Sequence, residues 1–341
     1  MGTPEPVAGY QKSTLVGAPG SKSRVPSPAS RVYLSPMRLD GIHHISCITG
    51  DAPGNLAFYT GTLGLRLVAK TVNQDDPYVY HLFYGDEEGS AGFDLTFFEY
   101  PGAGRGRAGS GMVYRITLRV ASVGALDFWA TRLTAAGIQV ERDGDRLRFE
   151  DPEGLGLELV VATTADAPLT ARHPEVPAEF ALQGFDSVRA FGGRVANTAR
   201  LLEEVMGATR VSDGTWEFAG NNRHGTIAYD APPSQPGRPG AGTVHHVAFA
   251  TERAEHEAWL ERLHRGGVSS TPIVERYYFQ SIYFREPSGV LYELATKGPG
   301  FTVDLPLDRI GRELVLPPML EPRRAEIVAH LTPLADPRAG W

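Results

Sequence analysis

The sequence predicts an α+β fold made of four related units, each a strand, then a helix, then three strands. Glycine- and proline-rich stretches at 101–111, 162–183 and 231–242 divide the chain into four segments of about fifty to sixty residues. Each segment opens with a strand-like apolar alternation and continues with a helical pattern. The second and fourth segments also align by eye, because DPEGLGLEL and EPSGVLYEL place Glu158 and Glu293 135 positions apart.

The first two segments carry these elements in the expected order. The first begins with the strand GIHHISCIT at 41–49, has a helical run at 55–63, and ends with the strands YHLFYGD and FDLTFFEY. The second begins with the strand MVYRITLRV at 112–120 and has a helix at 126–138. Its last strand follows the turn of DPEGLGLELV at 151–160.

The last two segments repeat the same order. The third begins with GFDSVRAF at 184–191, has a helix around 200–206, and ends with the strand HGTIAYD. The fourth begins with TVHHVAFAT at 243–251 and has the amphipathic helix EHEAWLERLHRGG at 255–267. It ends with EPSGVLYELAT at 286–296.

The segments define the predicted domains. Residues 38–165 are expected to form a first domain of two units, residues 180–297 a second domain of two units, and residues 298–341 a C-terminal tail. Residues 1–37 are rich in proline, glycine and serine and are expected to be a disordered extension. This extension lacks the apolar stretch of a secretory signal. Met37 is a second candidate start of translation.

Composition excludes several classes of function. A formal net charge of −7, with no block of lysine or arginine in the folded part, argues against nucleic acid as a partner. No apolar stretch approaches the length of a membrane-spanning helix. The single cysteine, Cys47, rules out an intramolecular disulfide and fits the reducing cytosol. We therefore expect a cytoplasmic protein.

The candidate chemistry lies in two adjacent histidine pairs, His43-His44 and His245-His246, and in the carboxylate of Glu293. Each pair lies on the opening strand of a segment, and the carboxylate lies on a later strand. Because side chains alternate across a strand, only one member of each pair should face a cavity. The face that carries small residues leaves room for a ligand, which favours His44 and His246. Two histidines and one carboxylate suit Fe(II) and leave three coordination positions open.

The equivalent positions of the other segments lack this donor set. Arg115 occupies the histidine position of the second segment, so Glu158 is expected to form a salt bridge. The third segment has Asp186 or Ser187 where a histidine would lie. In the first segment, Thr96 aligns with the position of a second glutamate. The predicted site therefore has three protein donors, taken from the first and fourth segments.

The βαβββ repeat, with a D/E-P-x-G turn before the last strand, resembles the vicinal oxygen chelate superfamily, also called the glyoxalase/bleomycin resistance/dioxygenase family, over about residues 39–296. In that family, paired units curve into half-barrels whose concave face holds a metal. The resemblance therefore implies that the four βαβββ units pair into two half-barrel domains. The stretches LDGIHHISCITGD, GTVHHVAFA and RYYFQSIYFREPSGVLYELATKGPGF are similar to the iron-dependent dioxygenases that open hydroquinone (para-diol) rings.

This resemblance implies a ligand set and a group of supporting side chains. The implied ligands of Fe(II) are His44, His246 and Glu293. The implied supporting residues, which lie beside the ion or contact the bound diol, are His43, His245, Ser46, Arg276 and Tyr283. A tyrosine hydroxyl and an arginine guanidinium both donate hydrogen bonds to a phenolic oxygen. The serine stands where the family can carry threonine.

The predicted function is an Fe(II)- and O₂-dependent dioxygenase that opens a hydroquinone-type or related dihydroxylated ring. Its partners are a small aromatic diol and O₂. Extradiol cleavage of a catechol is one alternative. A glyoxalase-like metal-dependent isomerase or transferase is another, although such enzymes typically need a fourth protein ligand. A metal-free binding module for an aromatic drug is the third. Three properties stay open. They are the ring substituents of the substrate, whether the bound ion is Fe(II) or Mn(II), and whether the chain forms a homo-oligomer.

Overall fold

The computed structural model describes residues 37–339 of the 341-residue chain. The predicted disordered extension lies outside the described residues, apart from Met37, and so do the last two residues of the tail. Every element below belongs to the compact unit that begins at Met37. Across the described part of the chain, no helix has both the length and the apolar character needed to cross a membrane.

The predicted α+β fold of four βαβββ units is confirmed. The first unit consists of β1 (Ile42–Thr49), α1 (Ala52–Leu56) with a π-helical continuation (Ala57–Thr62), β2 (Arg66–Val72), β3 (Tyr80–Gly85) and β4 (Asp94–Glu99). The second unit consists of β5 (Met112–Val120), α2 (Val123–Ala135), β6 (Val140–Asp143), β7 (Arg146–Glu150) and β8 (Gly156–Val161).

The third and fourth units repeat this order. The third consists of β9 (Phe185–Phe191), α3 (Val195–Arg200) with a π-helical continuation (Leu201–Val205), β10 (Thr209–Ser212), β11 (Thr215–Ala219) and β12 (His224–Asp230). The fourth consists of β13 (Thr243–Thr251), α4 (His256–Arg265), β14 (Val274–Glu275), β15 (Gln280–Arg285) and β16 (Leu291–Thr296). The tail contains short 3₁₀ turns and the helix α5 (Arg324–His330).

Helices α1 and α2 begin earlier than the apolar periodicity predicts, because capping side chains set their first turns. The Asp51 side chain accepts a hydrogen bond from the Gly54 amide at 3.1 Å, so α1 begins within a stretch that contains Pro53. The Ser122 hydroxyl accepts a hydrogen bond from the Ala125 amide at 3.2 Å and starts α2 three residues before the predicted position.

The units combine into two eight-stranded sheets. The first has the strand order β14-β15-β16-β13-β1-β4-β3-β2 and joins the fourth unit to the first. The second has the order β10-β11-β12-β9-β5-β8-β7-β6 and joins the third unit to the second. Each sheet thus takes one unit from each predicted domain, so the division between 38–165 and 180–297 does not separate the sheets. Trp129 of α2 and Trp259 of α4 are fully buried in the main apolar core.

Two β-bulges in the pairing of β1 with β13 change the direction of the histidine pairs. His43 is the extra residue on β1, and His245 is the extra residue on β13. At a bulge, two residues of one strand oppose one residue of the other, so strict alternation of side chains is lost. The expectation that adjacent histidines point to opposite faces is therefore wrong. His44 and His246 keep regular positions in the ladder.

Candidate metal centre

Three buried side chains converge on the first sheet, from β1, β13 and β16. The Nε2 atoms of His44 and His246 are 3.1 Å apart, and Glu293 Oε2 lies 3.2 Å and 2.9 Å from them. Three ligands on one face of an octahedron lie about 3 Å apart when each metal bond is about 2.1 Å long. Within residues 37–339, this is the one group of three or more histidine, cysteine or acidic side chains arranged to hold an ion.

The strand register explains this convergence. His44 of β1 and Glu293 of β16 are both directly opposite Ala248 of β13, one on each side of it. Residues directly opposite in neighbouring strands share a face of the sheet. The methyl group of Ala248 leaves the space between the two donors free. His246 lies two residues along the same strand and therefore on the same face.

The carboxylate of Glu293 has one satisfied oxygen and one oxygen available for an ion. The Ser281 hydroxyl donates to Oε1 at 2.5 Å, whereas Oε2 accepts no hydrogen bond of acceptable geometry. Burial alone would raise the pKa of Glu293, but the neighbouring His44 and His246 hold it well below its usual value. A buried anionic oxygen without a hydrogen-bond donor, facing two imidazole nitrogens, fits a divalent cation.

The outer histidines orient the inner ones. His44 Nδ1 lies 3.0 Å from His43 Nδ1, and His246 Nδ1 lies 2.8 Å from His245 Nδ1. An inner histidine that offers an unprotonated Nε2 to a cation carries its proton on Nδ1, and it therefore donates to its outer neighbour. Burial lowers the pKa of His43 to about 3, so its neutral ring has an unprotonated nitrogen that can accept this hydrogen bond.

Replacing Ser281 by alanine should weaken metal binding. The change removes the hydrogen bond to Glu293 Oε1, so the carboxylate loses the contact that directs Oε2 towards the histidines. Losing such a supporting contact typically lowers metal affinity by about 10- to 100-fold. A competition titration with a metal-binding dye measures the change. Ser187→Ala, at the equivalent of His246 in the second sheet, is the control and should leave the affinity unchanged. Unaltered affinity in Ser281→Ala would contradict this role.

The predicted substrate-contacting residues lie together beside the centre. The Tyr283 ring is 5.8 Å from the His246 ring, and Arg276 Nε donates to the Tyr283 hydroxyl at 3.3 Å. Arg276 also pairs with Asp75 at 3.0 Å. Tyr277 has φ +68°, and a 2.8 Å hydrogen bond from the next amide to the Arg276 carbonyl closes a tight turn around it. This strained turn holds Arg276 beside Tyr283.

Aromatic and small apolar side chains enclose the centre. The Phe279 ring lies 5.0 Å from the His44 ring and 5.3 Å from the His43 ring. Phe279 belongs to a second apolar cluster, which is separate from the main core. This cluster comprises Val68, Ala69, Phe83, Ala248, Tyr278, Phe279, Ala295, Phe301 and Ile310. Such a surrounding limits the access of water and suits an aromatic ligand.

Hydroxyl groups occupy the position where a fourth donor would lie. Thr96 of β4 is opposite Ser46 of β1, just as Glu293 is opposite Ala248. The predicted alignment of Thr96 with a second glutamate is therefore confirmed. The Ser46 and Thr96 hydroxyl oxygens are 2.7 Å apart.

The corresponding carboxylate of the second sheet is neutralised by arginines. Glu158 is opposite Thr117 in the second sheet, and it is fully buried. It pairs with Arg115 at 3.5 Å, with Arg148 at 2.8 Å, and with Arg146. The predicted salt bridge of Glu158 is confirmed, and it explains why this glutamate needs no cation.

Sequence reasoning did not select two supporting side chains, Ser281 and His81, as site residues. Each lies two residues before an aromatic residue of its strand, Tyr283 and Phe83 respectively, and so shares a face with it. Alternation within QSIYF and YHLFY could have placed both on the metal side. Their contacts with Glu293 and Thr96 could not be read from the strands alone, because those contacts cross to neighbouring strands.

Comparisons with known proteins agree on one family. The profile of the Glyoxalase/Bleomycin resistance protein/Dioxygenase superfamily matches residues 41–159 and 184–294. MhqA of Bacillus subtilis (strain 168), described as a candidate ring-cleaving dioxygenase, is 41% identical over 322 residues, which are 87% of this chain and 100% of that protein. The chlorohydroquinone/hydroquinone 1,2-dioxygenase of Sphingobium indicum is 33% identical over 311 residues, 86% of this chain and 96% of that protein.

Solved structures give the same result. The crystal structure of a candidate dioxygenase from Bacillus subtilis has a TM-score of 0.82 and 37% identity, and the match covers 87% of this chain and 98% of that one. Glyoxalase I from Zea mays has a TM-score of 0.56 and 16% identity, covering 75% of this chain and 92% of that one. The likeness to the maize enzyme extends to the fold alone.

Proposed function

Because the chain belongs to the glyoxalase/bleomycin resistance/dioxygenase superfamily, we propose that it is an Fe(II)- and O₂-dependent ring-cleaving dioxygenase acting on a hydroquinone-type or related aromatic diol. The observation that carries this proposal is the convergence of His44, His246 and Glu293, with a hydroxyl group where a second carboxylate, the fourth donor, would lie. A relative named for hydroquinone, which is 33% identical over nearly its whole length, supports the substrate class.

The donor set suits iron. The two imidazoles and one carboxylate of His44, His246 and Glu293 would hold Fe(II). When bound, Fe(II) supplies open coordination positions and electron transfer between the diol and O₂. His43 and His245 hold the inner rings in place through their Nδ1 contacts. Phe279 covers one side of His44 and helps to exclude water.

Tyr283 and Arg276 are suited to bind the oxygens of the diol. Burial raises the pKa of Tyr283, so its hydroxyl stays protonated at neutral pH and can donate a hydrogen bond. Arg276 donates to the same hydroxyl and carries a permanent positive charge, which favours a phenolate over a phenol. Together they would orient the substrate ring and stabilise its anionic form.

Tyr283→Phe should impair turnover without affecting metal binding. The variant keeps the ring but loses the hydroxyl that Arg276 holds beside the centre and that would donate to the substrate, so kcat for hydroquinone should fall by about 100-fold. Oxygen uptake with an electrode measures kcat, and metal analysis checks that the ion is retained. Tyr229→Phe is the control, because it removes a buried hydroxyl of the second sheet that is hydrogen-bonded to Tyr292 of the first sheet. Equal kcat in Tyr283→Phe and the wild type would rule out the role.

Anaerobic purification, metal analysis and an oxygen-uptake screen test the function as a whole. One iron per chain and oxygen uptake with hydroquinones are the expected results. Faster uptake with catechols would indicate the extradiol alternative. Turnover without oxygen in the presence of zinc, nickel or cobalt would indicate an isomerase or transferase. Failure of the chain to bind any divalent metal would overturn the proposal and favour a binding module.

A further inference from the structure

A chain of hydrogen bonds runs from β1, in the middle of the first sheet, through β4 to β3. Ser46 Oγ lies 2.7 Å from Thr96 Oγ1, and Thr96 Oγ1 lies 3.0 Å from His81 Nε2. Ser46 and Thr96 are fully buried, whereas His81 is partly exposed. The chain therefore links two buried hydroxyl groups to the partly exposed side chain of His81 through three groups that can each accept and donate a proton.

The inner end of this chain lies beside the metal centre. Ser46 is directly opposite His246 in the pairing of β1 with β13, so both side chains project from the same face. Thr96 occupies the position that Glu293 occupies in the fourth unit. The hydroxyl pair is thus placed where a substrate bound at the centre would meet it.

The outer end is an imidazole held between two aromatic rings. The His81 ring lies 4.0 Å from the Phe83 ring and 4.1 Å from the Phe98 ring, which fix its orientation. The charged and titratable groups that act on it come from four other segments, and they are His44 of β1, His246 of β13, Glu293 of β16 and Arg276 before β15. Burial, together with the neighbouring His44, His246 and Arg276, lowers the pKa of His81 well below its usual value, whereas Glu293 acts in the opposite direction. Its ring is therefore neutral, with one nitrogen free to accept a proton.

We propose that Ser46, Thr96 and His81 form a proton path that carries the proton of a substrate hydroxyl away from the metal centre and returns it after ring opening. The inference rests on the proposed function. The O–H bond of the diol breaks, Ser46 Oγ gains that proton, and the proton of Ser46 moves to Thr96. The proton of Thr96 moves to His81 Nε2, and His81 releases its Nδ1 proton to water. No electrons move along the path, so it needs no oxidant or reductant.

Thr96→Val tests the path, because valine keeps the shape of threonine but lacks the hydroxyl that links Ser46 to His81. In the metal-loaded enzyme with hydroquinone and O₂, kcat should fall by about 100-fold while KM changes by less than about twofold. The solvent deuterium isotope effect on kcat should rise, and metal content should not change. Thr96→Ser should restore kcat. Thr117→Val, at the position of Ser46 in the second sheet, is the control that should leave all four quantities unchanged.

His81→Gln carries the same test if Thr96→Val fails to fold, since glutamine can hydrogen-bond to Thr96 but cannot pass a proton. Wild-type kcat and isotope effect in either folded variant would overturn the path. Nitrogen-15 NMR of the His81 ring provides a readout that needs no turnover. The wild type should show an unprotonated Nε2 that accepts from Thr96, and Thr96→Val should shift its resonance. A protonated Nε2 would overturn the proton path, whether or not the protein opens diol rings. If the resonance is as expected but no oxygen is consumed, the proposed function alone is overturned.

Discussion

Glu293→Gln is expected to abolish both metal binding and ring cleavage, with kcat/KM for hydroquinone at least about 1,000-fold lower. The amide retains the size of the carboxylate and can still accept from Ser281, but it has lost the negative charge that faces His44 and His246. Without that charge, the two imidazoles form too weak a site to hold a divalent ion. Metal content after anaerobic purification and oxygen uptake after reloading with Fe(II) measure the two effects.

Glu158→Gln is the matched control for this result. Glu158 is the fully buried glutamate at the equivalent position of the second sheet, and its carboxylate forms ion pairs with three arginines. Its replacement should lower the free energy of unfolding, because those guanidinium groups lose their partner. Metal content and kcat per folded molecule should stay at the wild-type level. Normal iron content in Glu293→Gln, or loss of iron in Glu158→Gln, would show that the metal lies elsewhere.

Thr96→Glu is expected to turn the three-donor centre into a four-donor one. The register places residue 96 opposite Ser46 as it places Glu293 opposite Ala248, so the new carboxylate would face the same ion from the first unit. Metal affinity should rise by about tenfold or more, since another anionic ligand joins the site. Oxygen uptake should fall by about 100-fold, because one position needed by diol or O₂ is filled and the hydroxyl beside His81 is lost.

The stability of Thr96→Glu should also depend on metal. Position 96 is fully buried, and a carboxylate there without a cation carries a large desolvation cost. The melting temperature of the metal-free variant should therefore lie below that of the wild type, and adding metal should raise it strongly. Thr96→Gln, which has the same length and no charge, should show only the smaller rise that the three-donor site of the wild type gives. Equal metal affinity in the glutamate and glutamine variants would refute the equivalence of positions 96 and 293.

The repeat pattern was sufficient to predict the four units and the three inner donors. Opening strands such as 112–120 and 243–251 were predicted with the bounds that the structure shows, because turn residues and apolar alternation mark them locally. His44, His246 and Glu293 could be selected because small neighbouring residues distinguish the cavity face. Their role as iron ligands stays a prediction that metal analysis tests.

Other features depend on contacts between distant strands and could not be predicted from local patterns. The bulges at His43 and His245 arise from the pairing of β1 with β13, about two hundred residues apart, and an alternation rule applied to one strand cannot detect them. For the same reason, the predicted domain boundary at 165–180 did not indicate that the first and fourth units share one sheet. Which strand of each unit pairs with a strand of another unit depends on the assembled sheet.

The identity of the side chains available for chemistry can be read from the amino-acid sequence, because residue type, periodicity and repeat position are local properties. How those groups act on each other depends on the folded arrangement of the strands. It turned the outer histidines towards the inner ones, directed Ser281 onto Glu293, and linked Ser46 through Thr96 to His81. The physical reason is that hydrogen bonds and coordination depend on distances of about 3 Å, and packing between strands far apart in the chain sets those distances.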